Sequence, residues 1–240
     1  MNPKVLVSVH GYSGDASQVS AFIDLYTHHG YPVVIVSPDD APIRKAGPHI
    51  CRTAGLREYF GQKSWNRQNL QMRLLLEYKE FDWFLMNDSD SFVLNPKLPD
   101  YIFEDENVLY SNLVDDFRIP GQVSHGQHWP EDYHKGYPLK ASQPPYFCSR
   151  KVMEKMVSVD PSGACPITPF IDWCMVKWAV DSGVELKPFR DGQGASCETV
   201  TRNGAVVMNN CIRAGAIFVH SFKTRQSKDI ALAEYNRRNK

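Results

Sequence analysis

Hydrophobic and polar positions along this chain switch between two periods, and the switches mark its elements. Lys4 to Val9, KVLVSV, is a near-continuous β-branched run, the pattern of a strand buried on both faces of a parallel sheet. It ends in the turn-rich stretch His10-Gly11-Tyr12-Ser13-Gly14-Asp15. Val19, Phe22, Ile23 and Tyr26 then recur at helical spacing. Asp15 or Ser17 suits the N-cap of that helix, and Gly30 suits the left-handed residue just past its end. Tyr31 to Ser37 reads as a second buried strand, stopped by Pro38-Asp39-Asp40. Residues 1–40 therefore predict a right-handed β-α-β unit with parallel strands.

Residues 41–61 are rich in Pro, Gly and Arg and read as a loop with a short helix. Trp65 to Glu80 predicts a helix with Leu70, Leu74, Leu75 and Tyr78 on one face, feeding a strand over Asp82 to Met86. The acidic stretch Asn87-Asp88-Ser89-Asp90 follows at that strand's carboxyl end. Val108 to Tyr110 reads as a strand, whereas Asn112 to Pro145 holds too much Pro, Gly, His and Asp for regular structure. So long a loop in a compact domain usually carries function. Beyond it come a strand at Tyr146 to Cys148, a helix from Ser149, and a helix from Thr168 with Pro169 at its first position. Val184 to Phe189, Ala205 to Met208 and Ala214 to Val219 complete the strands. The expectation is one α/β domain over residues 1–240, with a mostly parallel, Rossmann-like sheet flanked by helices.

At 240 residues, with 42% hydrophobic and 12% aromatic content, the chain can bury one sizeable core. Lys plus Arg and Asp plus Glu number 27 each, so no net field draws the protein to nucleic acid or an anionic membrane. Apolar runs such as Val33 to Val36 fall far short of the roughly 18 residues of a membrane span, and the N-terminus lacks a signal-peptide pattern. A soluble, cytoplasmic protein without a membrane span is expected. Cys51, Cys148, Cys165, Cys174, Cys197 and Cys211 form no Cys-x-x-Cys pair. That argues against a zinc knuckle, with most of the thiols expected to be reduced and packed.

In open α/β sheets ligands settle outside the carboxyl ends of the strands, and three polar loops leave that edge: His10 to Asp15, Ser37 to Asp40, and Asn87 to Ser91. Gly11 and Gly14 would let backbone amides approach a phosphate, but the third glycine of a dinucleotide fingerprint is missing. Asp88 and Asp90, one residue apart at a strand end, direct hard oxygen ligands to one place, which suits Mg2+ or Mn2+ bridging a diphosphate. A solvated turn is the other reading. The apolar flanks in DWFLMNDSDSFVL favour the ligand role, because carboxylates embedded in a sheet need a partner.

These residues resemble the glycosyltransferases of the GT-A fold that carry an Asp-x-Asp motif, above all the fringe and β-1,3-galactosyltransferase-like group. The resemblance implies metal-dependent transfer, inverting in character, from a nucleoside-diphosphate sugar, with UDP favoured. It makes Asp90 the most direct metal ligand, with Asp88 beside it, and Ser89 the middle residue of the triplet. Pro145-Tyr146-Phe147-Cys148-Ser149-Arg150 is similar to the segment that lines the acceptor pocket, which implies a role for Tyr146. Asp172, in Pro169-Phe170-Ile171-Asp172, matches the catalytic base, and a carboxylate in a helix's first turn is held ready as an anion by the dipole. Plain helix-start charge would look the same. Ile217 to Lys223 resembles the late strand ending in a metal-binding histidine, here His220, and imidazole suits Mn2+ better than Mg2+. His10, Gly11, Tyr12, Asp39 and Arg67 fall where base, ribose and phosphate contacts are implied. The membrane anchor and disulfides of many eukaryotic members are not evident, which points to a bacterial, viral or truncated soluble form.

The stretch Ser124 to Tyr137 offers Trp129 and Tyr133, with His125, His128 and His134, as aromatic and hydrogen-bonding surface for an acceptor glycan or another hydroxyl acceptor. An ordinary surface loop is the alternative. A hydroxylated DNA base in a virus is a further acceptor class, through Arg150, Lys151, Lys155, Lys223, Arg225 and Lys228. A nucleotidyltransferase and a sugar- or nucleotide-binding module without chemistry are the competing functions. Asn87-Asp88-Ser89 is also formally a glycosylation sequon.

Overall fold

A computed structural model describes residues 4–10, 26–27, 29–37, 50–53, 64–88, 92–93, 98–115, 123–124, 127–128, 140–163, 171–189 and 216–219, with isolated positions between 210 and 237. The strands are β1 (Val5–His10), β2 (Val33–Ser37), β3 (Ile50–Thr53), β4 (Trp83–Asn87), β5 (Phe92–Val93), β6 (Val108–Asp115), β7 (Val123–Ser124), β8 (Gln127–His128), β9 (Lys140–Ser149), β10 (Glu185–Pro188) and β11 (Phe218–Val219). Three helices, α1 (Ser64–Leu76), α2 (Arg150–Ser158) and α3 (Ile171–Asp181), lie among the described residues, with a 3-10 turn at Asp100–Phe103.

Seven strands form one sheet in the order β10-β6-β9-β4-β1-β2-β3. Every neighbouring pair is parallel except those of β9, which runs antiparallel to both β4 and β6. The expected α/β class with a mostly parallel sheet is what the chain forms. All six residues of β1 and all five of β4 are buried, so the continuous apolar runs reflect burial on both faces. On one face Leu6, Phe84 and Met86 pack with Met72 and Leu75 of α1, Met153 of α2 and Trp178 of α3. On the other, Val7, Val9 and Leu85 pack with Tyr26, Phe147 and Phe218.

The predicted end of the first helix is present. Tyr31 N bonds Tyr26 O at 3.0 Å and Gly30 N bonds Thr27 O at 2.8 Å, with Gly30 at φ +81. This is a Schellman closure that only a residue tolerant of positive φ completes cheaply. Ser149 caps α2 by accepting from Val152 N at 3.2 Å.

Three expectations change. Residues 41–61 include β3, a four-residue edge strand paired to β2 alone, too short for periodicity to register. The supposed irregular stretch from Asn112 to Pro145 contains the end of β6, the β7–β8 pair and most of β9. There, tertiary pairing outweighs composition: Asn112 faces Gln143 and Ser142 faces Leu113. The ladder shifts register between Tyr110 and Asn112, opposite Pro144 and Pro145, which have no N–H to give it. Finally, the apolar segment before His220 joins a separate two-stranded sheet, β11 with β5.

Candidate functional site

From β1 the chain proceeds outward to β2 and β3, while β4 lies on the other side of β1. The strand order therefore reverses between β1 and β4, the kind of switch point outside whose carboxyl ends open α/β sheets bind ligands. Val9 pairs with Asn87 in parallel register, so His10 and Asp88 are the next pair outward. His10 is buried and Asp88 half-buried.

α1 and α3 each run back across the sheet and lead into a strand at its amino edge, so both helices start at the carboxyl edge. Their N-terminal amides and dipoles face the same rim. Arg67 lies in the first turn of α1 and Asp172 in the first turn of α3; their side chains lie outside the described residues.

Alternation along β1 turns Leu6, Ser8 and His10 toward α1. Gln71 Nε2 donates to Ser8 Oγ at 2.7 Å, and Gln68, one turn nearer the rim, is also buried. Of the predicted face, Leu75 is buried and Leu74 and Tyr78 pack half-buried against the same core, while Leu70 is half-buried; the inward face also takes in Gln68, Gln71 and Met72, all fully buried. Apolar stripes attract notice, and buried glutamines among them do not. Their spacing three apart, in register with Met72 and Leu75 and above an acidic loop, was the available signal.

On the opposite face Asn87 Nδ2 donates to the Tyr26 hydroxyl. Burial pushes the Tyr26 phenol far up, against the partial relief of that bond. Asn87 is only 2% exposed, so the sequon beginning there is closed to glycosylation in the folded chain.

Beyond β4, β5 pairs antiparallel with β11, Phe92 opposite Val219 and Val93 opposite Phe218. Asp90 precedes Phe92 by two positions and His220 follows Val219 by one. The flanks of these two sequence-predicted ligands are therefore hydrogen-bonded neighbours.

The β6–β9 ribbon extends past β4, whose last pair with β9 is Met86 with Tyr146. Asp115 pairs with Lys140 at the ribbon's outer end. Tyr146 itself does not line an open pocket. It is 1% exposed in the α1-side core, and its hydroxyl donates to Ser142 O at 2.8 Å, because its pairing with Met86 turns the ring inward. Arg150 is likewise withdrawn from any acceptor: its guanidinium donates to the carbonyls of Leu76, Tyr78 and Phe81.

Gly11, Tyr12, Asp39, Ser89, Asp90, Trp129, Tyr133 and His220 lie outside the described residues. No group of three or more His, Cys, Asp or Glu placed to hold a metal occurs among the described residues, and no described helix is long and apolar enough to cross a membrane. The thiols divide. Cys148 is free and buried, its thiol pushed up to about 12 by desolvation. Cys174 is disulfide-bonded, an exception to the expectation that most of the cysteines are reduced.

This architecture matches solved structures across 98% of the chain. One is described as a glycosyltransferase involved in the glycosylation of the major capsid of PBCV-1, at TM-score 0.52 and 12% identity, with 100% of that chain covered. The fold is glycosyltransferase-like. A second, the WbbM bifunctional glycosyltransferase in its apo form, matches at TM-score 0.56 and 11% identity over 50% of its length. No family model and no curated protein matches the chain.

Proposed function

We propose that this chain is a metal-dependent, inverting glycosyltransferase that moves a sugar from a nucleoside-diphosphate sugar, UDP-linked by preference, to a hydroxyl of a glycan or other acceptor. The observation that carries this reading is the β5–β11 pairing. It ties together the chain just after Asp90 and just before His220.

Asp88 and Asp90 contribute hard carboxylate oxygens and His220 an imidazole, a donor set suited to Mn2+ or Mg2+. When bound, the cation offsets the negative charge developing on the departing diphosphate. His10 ends β1 and is itself buried, so Gly11 and Tyr12 after it, with Asp39 after β2, take the nucleoside, with Ser89 and Arg67 toward the phosphates. Asp172, in the first turn of an eleven-residue helix, is held as the anion by the dipole. It accepts the proton of the acceptor hydroxyl while that oxygen attacks the anomeric carbon from the face opposite the diphosphate. The bond to the diphosphate breaks and configuration inverts. Trp129 and Tyr133 are the residues to which this reading gives the acceptor.

Calorimetric titration with UDP and GDP, with and without Mn2+, on wild type and Asp90→Ala tests the reading. Mn2+-dependent UDP binding that Asp90→Ala abolishes is expected. Metal-independent or absent binding overturns it, and turnover that releases pyrophosphate would identify a nucleotidyltransferase instead.

A further inference from the structure

The face of β4 away from α1 packs among Val9, Leu85, Phe147 and Phe218, and a polar pair is set into it. Asn87 Nδ2 bonds the Tyr26 hydroxyl, and the two residues are 2% and 1% exposed. Tyr26 is fixed independently, since its carbonyl closes the Schellman turn before β2. The other end of the Asn87 amide is buried, and among the described residues its Oδ1 has no hydrogen-bond partner. A leucine would occupy that volume without an orphaned acceptor, so packing does not account for Asn87. Its place in the chain does, because it is the last residue of β4 and one peptide bond before Asp88.

We propose that Asn87 and Tyr26 are positioning residues for the cation site, a tether that fixes the end of β4 and with it the direction of the Asp88 carboxylate. This rests on the metal-dependent reading above. Neither residue touches the cation or the donor. They act as outer partners that orient a ligand, a class whose loss typically costs about 10–100-fold in metal affinity.

The test is calorimetry of Mn2+ binding in the presence of UDP, with thermal unfolding measured in parallel, on wild type, Tyr26→Phe, Asn87→Leu and the double variant. Each single variant is expected to weaken Mn2+ binding roughly tenfold or more. In the double variant no polar group is left orphaned, so stability recovers toward wild type, while Mn2+ binding stays as weak as in the singles. Recovery of both together would mean that the pair acts only through stability, and would overturn the proposal. Tyr26→Phe removes a single oxygen and decides the matter if Asn87→Leu fails to fold. A wild type that binds Mn2+ and UDP, matched by Tyr26→Phe, overturns this inference alone; a wild type without Mn2+-dependent binding overturns the metal reading with it.

Discussion

Replacing Arg150 by Met should destabilise the protein by about 3–4 kcal/mol, and the structure supplies the reckoning. The guanidinium meets Leu76 O at 3.1 Å, Tyr78 O at 2.6 Å and Phe81 O at 3.0 and 2.8 Å, and lies 5.3 Å from the Phe84 ring centre. These carbonyls end α1 and lead into β4, so one side chain closes the helix and aligns the strand that carries Asp88. Buried hydrogen bonds from a charged donor contribute about 1.5–3 kcal/mol each. The group is only part-buried and water can reach the freed carbonyls, so we take about 1 kcal/mol for each of the three, and about 0.5–1 for the ring contact. Met keeps the aliphatic stem and isolates the polar loss. Urea unfolding followed by tryptophan fluorescence should show the midpoint fall by about 1–2 M at an unchanged slope of roughly 2–3 kcal/mol per M. Arg150→Lys, a single point donor, should recover no more than about a third, since it cannot span three carbonyls. A loss below about 1 kcal/mol, or a lysine variant equal to wild type, would refute the clamp.

Asp172→Asn should leave UDP and Mn2+ binding near wild type and abolish sugar transfer in a coupled UDP-release assay; unchanged turnover would remove Asp172 from the mechanism. Burial lifts the Cys148 thiol from 9.0 to about 12, so the native state keeps a proton that the unfolded chain gives up. The resulting stability is present below pH 9.0 and lost as pH rises toward about 12. Thermal midpoints of Cys148→Ala should accordingly decline less over that window than those of wild type, and parallel declines would show that this thiol is not a cause.

The half of the fold built from β1, β2, α1 and β4 was legible because each of its strands is a continuous apolar run and each turn has its own chemistry, as at Gly30 and Pro38. That also located Asp88, since an acidic pair interrupting an apolar run signals a strand end. What escaped was set by pairing between distant segments. Lys140 to Gln143 is a strand only because β6 is its partner, and β3 only because β2 has a free edge. Tyr146 was misread because its neighbours in the chain, Pro145 and Phe147, say nothing of which face a ring will take, whereas its pairing with Met86 does. The buried polar residues Gln68, Gln71 and Asn87 were overlooked because hydrophobicity patterns count polar positions as exposed.

The pairing of Asp115 with Lys140 has a consequence for how this surface can change over time. Whatever lies between those two residues is stapled at its base by a ladder belonging to the sheet, so its ends stay in place when its length or composition drifts. Doubling the length of a connection adds only about 0.6 kcal/mol of closure entropy. A change of length between Asp115 and Lys140 therefore leaves the β6–β9 ladder, and the strands beside it in the sheet, in place.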